Sequence, residues 1–95
     1  MIPEDAARAR RIIDGTARIL ALRFVLSAPG STRSEVAVGA GMSVPAAQVA
    51  LRELEELGYI TTDIAGPRNG RRIRYTAVPG SVSQDLDALK SWLLG

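Results

Sequence analysis

The chain has 95 residues, 46% of them hydrophobic, and a formal net charge of +2, which together indicate one folded domain of modest stability. It contains no cysteine and no histidine, which excludes disulfides, thiol chemistry and metal sites built from thiolate or imidazole ligands. No apolar run approaches the roughly 18 residues needed to cross a bilayer, and the chain does not start with the basic segment of a signal peptide, so we predict a cytoplasmic protein without a membrane partner.

The first third of the sequence predicts two helices. Residues 3–5 place a proline and two acids at a helix start, where the helix dipole favours negative charge. Gly15 favours a break or bend over a continuous helix with a local kink, and Thr16 after it is a suitable N-cap for the next helix. Residues 17–27 are apolar around too much of the circumference for an exposed helix, so this segment is predicted to be the central core helix.

A second pair of helices is predicted around a tight turn. Thr32 and Glu35 have the spacing of a capping box, which opens the first helix of this pair. Residues 39–42, Gly-Ala-Gly-Met, break the helical pattern, and Ser43 can cap a second helix over residues 44–57. Gly58 then supplies the left-handed residue that ends it.

The second helix of this pair has two contrasting faces. Its apolar stripe, which is predicted to be buried, consists of Ala47, Leu51, Leu54 and Leu57. The other face presents Val44, Pro45, Gln48, Val49 and Arg52. What this second face contacts is therefore the functional question.

The pattern after Gly58 predicts a β-hairpin. The apolar period changes from 3.6 to 2, which indicates strands over residues 59–64 and 73–77. Between them, Asn69 with the glycine that follows is a strong turn signal. The tip is basic, because Arg68, Arg71, Arg72 and Arg74 fall within seven residues with no acid among them. Four arginines at one tip repel one another unless a polyanion or carboxylates offset them, although a solvated loop is the alternative interpretation.

Residues 81–95 predict a final amphipathic helix. Ser81 and Gln84 resemble another capping box, and the apolar spacing continues along the helix. A lone tryptophan on such a helix is expected in a core or a subunit interface rather than against a base. The residues predicted to pack with the N-terminal helix of the same or a second subunit are Leu86, Leu89, Trp92 and Leu93.

Two short motifs place these elements in a known family. Gly41-Met42-Ser43 resembles a Gly-Leu-Ser turn, and residues 51–60, LRELEELGYI, resemble a recognition helix that ends and enters a wing. The chain thus resembles, over about residues 17–78, the winged helix-turn-helix domain of bacterial regulators such as the MarR, ArsR and PadR families. The implied fold class is mainly α with a small β-hairpin: a winged helix-turn-helix core over residues 16–80, an N-terminal helical extension over 1–15 and a C-terminal, dimerising helix over 81–95.

The resemblance also implies an interface with double-stranded DNA. Helix 44–57 would enter the major groove, and the wing over residues 65–74 would rest on backbone or minor groove. Gln48 could then pair with adenine, the apolar residues beside it could contact thymine methyls, and Arg52 could reach a phosphate or a guanine. The predicted DNA-binding residues are Arg33, Ser43, Val44, Pro45, Gln48, Val49, Arg52, Arg68, Asn69, Arg71, Arg72 and Arg74.

The remaining charges are predicted to be structural or solvated. Basic residues on the first two helices are expected to be helix-surface charges rather than ligands: Arg8, Arg10, Arg11, Arg18 and Arg23. Glu53, Glu55 and Glu56 are expected to form a solvated face beyond the groove.

The leading functional hypothesis is a sequence-specific DNA-binding transcriptional regulator that forms a homodimer and uses no metal or cofactor. Repression by occlusion is expected, because the chain has no room for a separate effector domain. The exposed Val44, Pro45 and Val49 favour a protein-interaction module as the alternative. A phage or plasmid factor in excision or replication control would use the same DNA contacts. An enzyme is not predicted, since the usual catalytic bases and nucleophiles are missing.

Overall fold

The structure is a computed structural model that describes residues 1–64 and 72–95. Its helices are α1 (Glu4–Asp14), α2 (Thr16–Ser27), α3 (Arg33–Ala40), α4 (Val44–Glu56) and α5 (Pro79–Leu94), and its strands are β1 (Ser31–Thr32), β2 (Ile60–Thr62) and β3 (Arg74–Ala77). This order confirms the predicted fold class, a winged helix-turn-helix with helices added at both ends. No helix in the two described ranges has both the length and the apolarity to cross a membrane.

The predicted break between the first two helices is confirmed at Gly15. This residue has an extended backbone (φ −111°, ψ 107°) and occupies the N-cap position of α2. Thr16 is the first residue of that helix, so its predicted role as the N-cap is wrong by one position. A Cβ at Gly15 would lie 2.5 Å from Cζ of Arg18, because the arginine side chain folds back over the break.

The prediction that α2 is a central core helix is right for one of its faces. Ala21, Leu22 and Val25 are buried, and α2 packs against α1, α3, α4 and β3. On the other side, Ile19, Leu20 and Leu26 are exposed to about two fifths. The apolar composition of α2 therefore serves both the core and a surface.

The helix-turn-helix is set by its caps, as predicted. Thr32 Oγ1 accepts from the Glu35 N–H at 3.3 Å, and the Glu35 carboxylate accepts from the Thr32 N–H at 2.8 Å, which completes the capping box. Gly41 is left-handed (φ 69°) and ends α3. The break predicted over residues 39–42 therefore starts too early, because Gly39 and Ala40 still belong to α3. Ser43 Oγ then accepts from the Ala46 N–H at 3.2 Å and caps α4.

The predicted stripe of α4 faces the core. Ala47, Leu51 and Leu54 are buried, as is Ala50, which the predicted stripe omitted. The helix ends at Glu56, one residue before the predicted end, and Gly58 adopts the predicted left-handed conformation (φ 83°).

The wing is part of a three-stranded antiparallel sheet in the order β1-β3-β2. The two predicted strands are present but shorter than predicted, and they pair with Thr62 opposite Tyr75. The strand β1 was not predicted; its Thr32 pairs with Arg74 directly before α3 begins. The predicted hairpin tip falls within residues 65–71, outside the described residues.

The final helix starts earlier than predicted. Pro79 is its first residue and Val78 takes the N-cap position without a side-chain hydrogen bond, so the capping box predicted for Ser81 and Gln84 is wrong. A proline is well suited to the first position of a helix, because the amide that it lacks has no partner there. Val82 and Asp85 are the buried residues of α5, which packs chiefly against α1.

Candidate nucleic-acid interface

The outward face of α4 is built as the sequence predicts. Its five members, Val44, Pro45, Gln48, Val49 and Arg52, are all exposed. With 3.6 residues per turn they fall within about 140° of the helix circumference, opposite the buried stripe. The stretch from residue 44 to 52 contains no acid, so its only charge is the positive charge of Arg52. A helix face of this kind can enter a groove lined by phosphates.

Ser43 orients this helix through its cap. Its side chain is exposed, but the oxygen already accepts from the Ala46 amide. The cap fixes the direction in which α4 leaves the turn. Ser43 therefore supports the predicted interface through the conformation of the backbone.

The start of α3 and the base of the wing lie close together. Arg33 is exposed at the first position of α3. Hydrogen bonds from the Thr32 backbone and side chain lower the pKa of Glu35, and the charges of Arg74 and Arg72 lower it further. The pairing of Thr32 with Arg74 between β1 and β3 places the basic end of β3 beside the capping box.

Two of the predicted wing arginines lie within the described residues. Arg72 is exposed, whereas Nη1 of Arg74 donates to the Gly30 carbonyl at 3.0 Å and so fastens β3 to the turn before β1. The Arg74 N–H donates to Oδ1 of Asp63 at 3.0 Å. Asp63, which directly follows β2, was not among the predicted site residues. The other predicted wing residues, Arg68, Asn69 and Arg71, lie outside the described residues.

The prediction of a wholly solvated glutamate face on α4 is wrong for Glu53. Nη1 of Arg18 donates to Oε2 of Glu53 at 3.1 Å, and both side chains are largely buried. Nε of Arg18 also donates to the Arg11 carbonyl at 2.8 Å, so Arg18 is not the simple surface charge that was predicted. This ion pair neutralises the first acid that follows the outward face of α4.

Arg8 is likewise more than a surface charge. Its Nε donates to Oδ2 of Asp85 at 2.9 Å, and the buried Tyr59 hydroxyl donates to the same oxygen at 2.7 Å. The network therefore joins α1 and α5 to Tyr59, which directly follows Gly58. The sequence offers one signal for it: Asp85 interrupts an apolar row that includes Val82 and Leu89.

The protonation states in this network favour a fixed ion pair. Burial alone would raise the pKa of Asp85, but the hydrogen bonds from Arg8 and Tyr59 and the charge of Arg8 outweigh it, so this pKa lies below its ordinary value. The hydrogen bond to Asp85 raises the pKa of Arg8. Burial, followed by the same acceptor, raises the pKa of Tyr59. At neutral pH Asp85 therefore stays anionic, Arg8 stays cationic and Tyr59 stays neutral.

An apolar groove of about 430 Å³ lies between α1, α2 and α5. It is lined by Ile12, Ile13, Ile19, Leu22, Arg23, Leu26, Ser27, Val82 and Leu86. Of the predicted dimer residues, only Leu86 lines this groove; Leu89 is half-buried, and Trp92 and Leu93 are exposed near the end of α5. Residues 1–64 and 72–95 contain no group of three or more acidic side chains positioned to hold a metal ion.

Comparison with known proteins places the α2 to β2 segment in a described family. Residues 17–61 match the family described as winged helix-turn-helix DNA-binding. Curated protein sequences give no significant match to the chain.

Solved structures of MarR family proteins share the fold. A MarR family transcriptional regulator from Silicibacter pomeroyi superposes with a TM-score of 0.62 at 16% identity, over 92% of this chain and 62% of that one. The MepR–DNA complex from Staphylococcus aureus gives a TM-score of 0.59 at 15% identity, over 95% of this chain and 71% of that one.

A zinc-responsive MarR family member from Lactococcus lactis, ZitR, gives a TM-score of 0.53 at 22% identity, over 84% of this chain and 55% of that one. This chain thus spans less than two thirds of the S. pomeroyi and L. lactis proteins. The element order and the superpositions show that the chain has the winged helix-turn-helix fold, and the match to the DNA-binding family covers residues 17–61 of its 95 residues.

Proposed function

We propose that the protein is a sequence-specific, double-stranded DNA-binding transcriptional regulator. In this proposal α4 enters the major groove and the wing over residues 65–74 rests on backbone or minor groove. The observation that carries it is the outward face of α4, which is exposed and acid-free from residue 44 to 52 on a helix whose opposite side is the core. The family description and the existence of a MepR–DNA complex with the same fold support the same partner.

The distribution of charge also supports DNA as the partner. Arg33, Arg52 and Arg72 are exposed cations, whereas the nearest acid on α4, Glu53, is paired with Arg18. Phosphate neutralisation by such arginines would supply the sequence-independent part of the affinity. The outward face of α4 would supply the sequence-dependent part, because base edges are read in the major groove.

Regulation would follow from occupancy. A helix in the major groove and a wing beside it exclude other proteins from the same stretch of a promoter, which is repression by occlusion. A reporter gene placed behind the bound sequence measures this: expression should fall when the protein is supplied, and a rise would identify an activator. This role assigns the protein to the cytoplasm, where it would bind DNA and perform no catalysis.

Homodimerisation is part of the proposal. Leu86 contributes to the apolar groove, and Trp92 and Leu93 are 42% and 69% exposed near the end of α5. A two-fold axis through this region would present two α4 helices to a palindromic site. Sedimentation velocity of the whole chain should show a dimer, and a monomer at micromolar concentration would remove this part of the proposal.

The salt dependence of binding tests the proposal directly. Replacing both Arg71 and Arg72 by alanine should weaken binding to all duplexes and reduce the slope of log affinity against log salt by about 0.9 for each phosphate that is no longer neutralised. Arg10→Ala is the matched control, because it removes an exposed arginine from α1. An unchanged slope for the double variant, or an equal change for the control, would contradict a role for the wing.

A protein-interaction module is the second candidate, and the exposure of Val44 and Val49 favours it. In that case the chain would fail to shift genomic fragments at low salt. A protein partner captured from an extract would instead be lost on Val49→Glu and retained on Val38→Glu, an equivalent change at an exposed valine of α3.

A further inference from the structure

We propose that the outward face of α4 recognises the C5-methyl groups of thymine, so that the preferred duplex carries A·T pairs at the positions facing Val44, Pro45 and Val49. The proposal rests on the proposed function, since it names the class of sequence that the same helix reads. It assigns a specificity-determining role to apolar side chains in place of the charged and amide side chains that commonly read bases.

The first step is that these side chains are not used by the core. Val44 is 41% exposed and Val49 is 45% exposed, although valine is among the residue types most often buried. Pro45 is exposed between them. All three lie on the outward side of α4, while Ala47, Ala50, Leu51 and Leu54 pack inward. Apolar surface at these three positions is therefore available to a partner.

The second step is the chemistry of the groove. The thymine methyl is the apolar group that a base pair presents at the major-groove edge, whereas guanine and cytosine present acceptors and a donor. A valine against a G·C pair would remove water from those polar groups without replacing their hydrogen bonds, which is unfavourable. The same valine against a thymine methyl buries apolar surface on both partners.

The third step is that few side chains at this end of α4 can form hydrogen bonds with base edges. From residue 44 to 51, Gln48 is the only polar side chain, and its amide suits adenine N6 and N7. Pro45 has no N–H to offer, and the Ser43 oxygen, which lies before the first helical residue, already accepts from the Ala46 N–H. Arg52 lies about 12 Å along the helix axis from Val44. The amino-terminal half of α4 is thus equipped for thymine and adenine.

The test begins with selection of bound duplexes from a random library, using the whole chain. The selected sequences should carry A·T pairs at the positions that α4 covers. Each thymine in the selected site is then replaced by deoxyuridine, which removes the methyl group and preserves base pairing. The affinity for the selected duplex should fall about fourfold for each contacted methyl that is removed. The same replacement in random duplexes should leave their affinity unchanged.

Two protein variants locate the effect on the helix. The affinity for a thymine duplex is divided by the affinity for the duplex with deoxyuridine at the position that Val49 contacts. In Val49→Ser this ratio should be close to one. Val38→Ser is the matched control: this valine is 84% exposed and lies on α3, so its ratio should stay at the wild-type value. Circular dichroism of both variants confirms that they remain folded.

The outcomes separate this inference from the proposed function. Specific binding in which deoxyuridine duplexes bind as tightly as thymine duplexes, or a selected site with G·C pairs under α4, overturns the methyl readout and leaves a DNA-binding regulator. Failure to enrich any sequence, with no binding to random duplexes at low salt, overturns both.

Discussion

Gly39 shows how one missing side chain sets the distance between two helices. It lies within α3 and is exposed, yet a Cβ at this position would stand 1.9 Å from Cε1 of Phe24 on α2. The aromatic ring therefore occupies the space that any other residue would need. Because α3 begins the helix-turn-helix, this close approach helps to set how α4 is presented.

We expect Gly39→Ala to destabilise the fold by about 1–3 kcal/mol, the usual cost of overpacking. In an ordinary helix interior the same change stabilises by about 0.5–1 kcal/mol. Gly80→Ala is the control without overpacking: Gly80 is the second residue of α5, and a Cβ there meets no atom within 4 Å, so this variant should not be destabilised. Urea unfolding of both variants measures the difference, and a stabilised Gly39→Ala would show that Phe24 moves aside easily.

The caps of individual helices give the clearest prediction at the next scale. Ser43→Ala removes the hydrogen bond to the Ala46 amide and should lower the free energy of unfolding by about 1 kcal/mol. Ser81→Ala is the control, since Ser81 lies inside α5 and does not cap it; its effect should stay within about 0.5 kcal/mol. Equal decreases for the two variants, measured by denaturant unfolding, would argue against the cap in α4.

Elements marked by local chemistry were predictable from the sequence. The capping box of Thr32 and Glu35, the left-handed Gly58 and the exposed face of α4 are all found as predicted. Each depends on residues within a few positions of one another, so the sequence contains the complete signal.

Elements that depend on distant partners were not predictable in the same way. The strand β1 has only two residues, too few for a period, and it exists because β3 pairs with it. The start of α5 is a different case, since two local signals compete there: Ser81 resembles a cap, but the helix begins at Pro79. In the candidate site, the pairing of Arg18 with Glu53 spans 35 positions, and only the packing of α2 against α4 brings them together.

At the scale of the whole molecule, Asp85 joins the two terminal helices, α1 and α5, to Tyr59 between α4 and β2. We expect Asp85→Asn to lower the free energy of unfolding by about 1–3 kcal/mol at neutral pH, because Arg8 and Tyr59 lose a charged acceptor. Asp14→Asn removes an exposed pair with Arg10 and should change stability by less than about 0.5 kcal/mol. Similar decreases for both would mean that the buried network adds nothing beyond a surface pair.

The same group makes a prediction about acid. The pKa of Asp85 lies below the value of 3.8 for an unperturbed aspartate, so its contribution is complete above that pH and is lost as the pH falls through its lower value in the folded state. The stability difference between wild type and Asp85→Asn should therefore be constant from about pH 5 to 7 and shrink below about pH 4. Thermal unfolding as a function of pH measures it, and a difference that grows in acid would contradict the direction of this shift.

The hydrogen bonds that hold β3 to Asp63 and to β1 have a consequence for engineering. The Asp63 N–H donates to the Arg74 carbonyl at 3.2 Å, and β3 is held along its other edge by Ser31 and Thr32, so both strands are anchored by bonds outside residues 65–71. Doubling the length of a flexible segment costs only about 0.6 kcal/mol in closure entropy. Replacing the segment between Ile64 and Arg72 should therefore alter what the proposed wing contacts, while the pairing of β3 and the orientation of α4 stay unchanged.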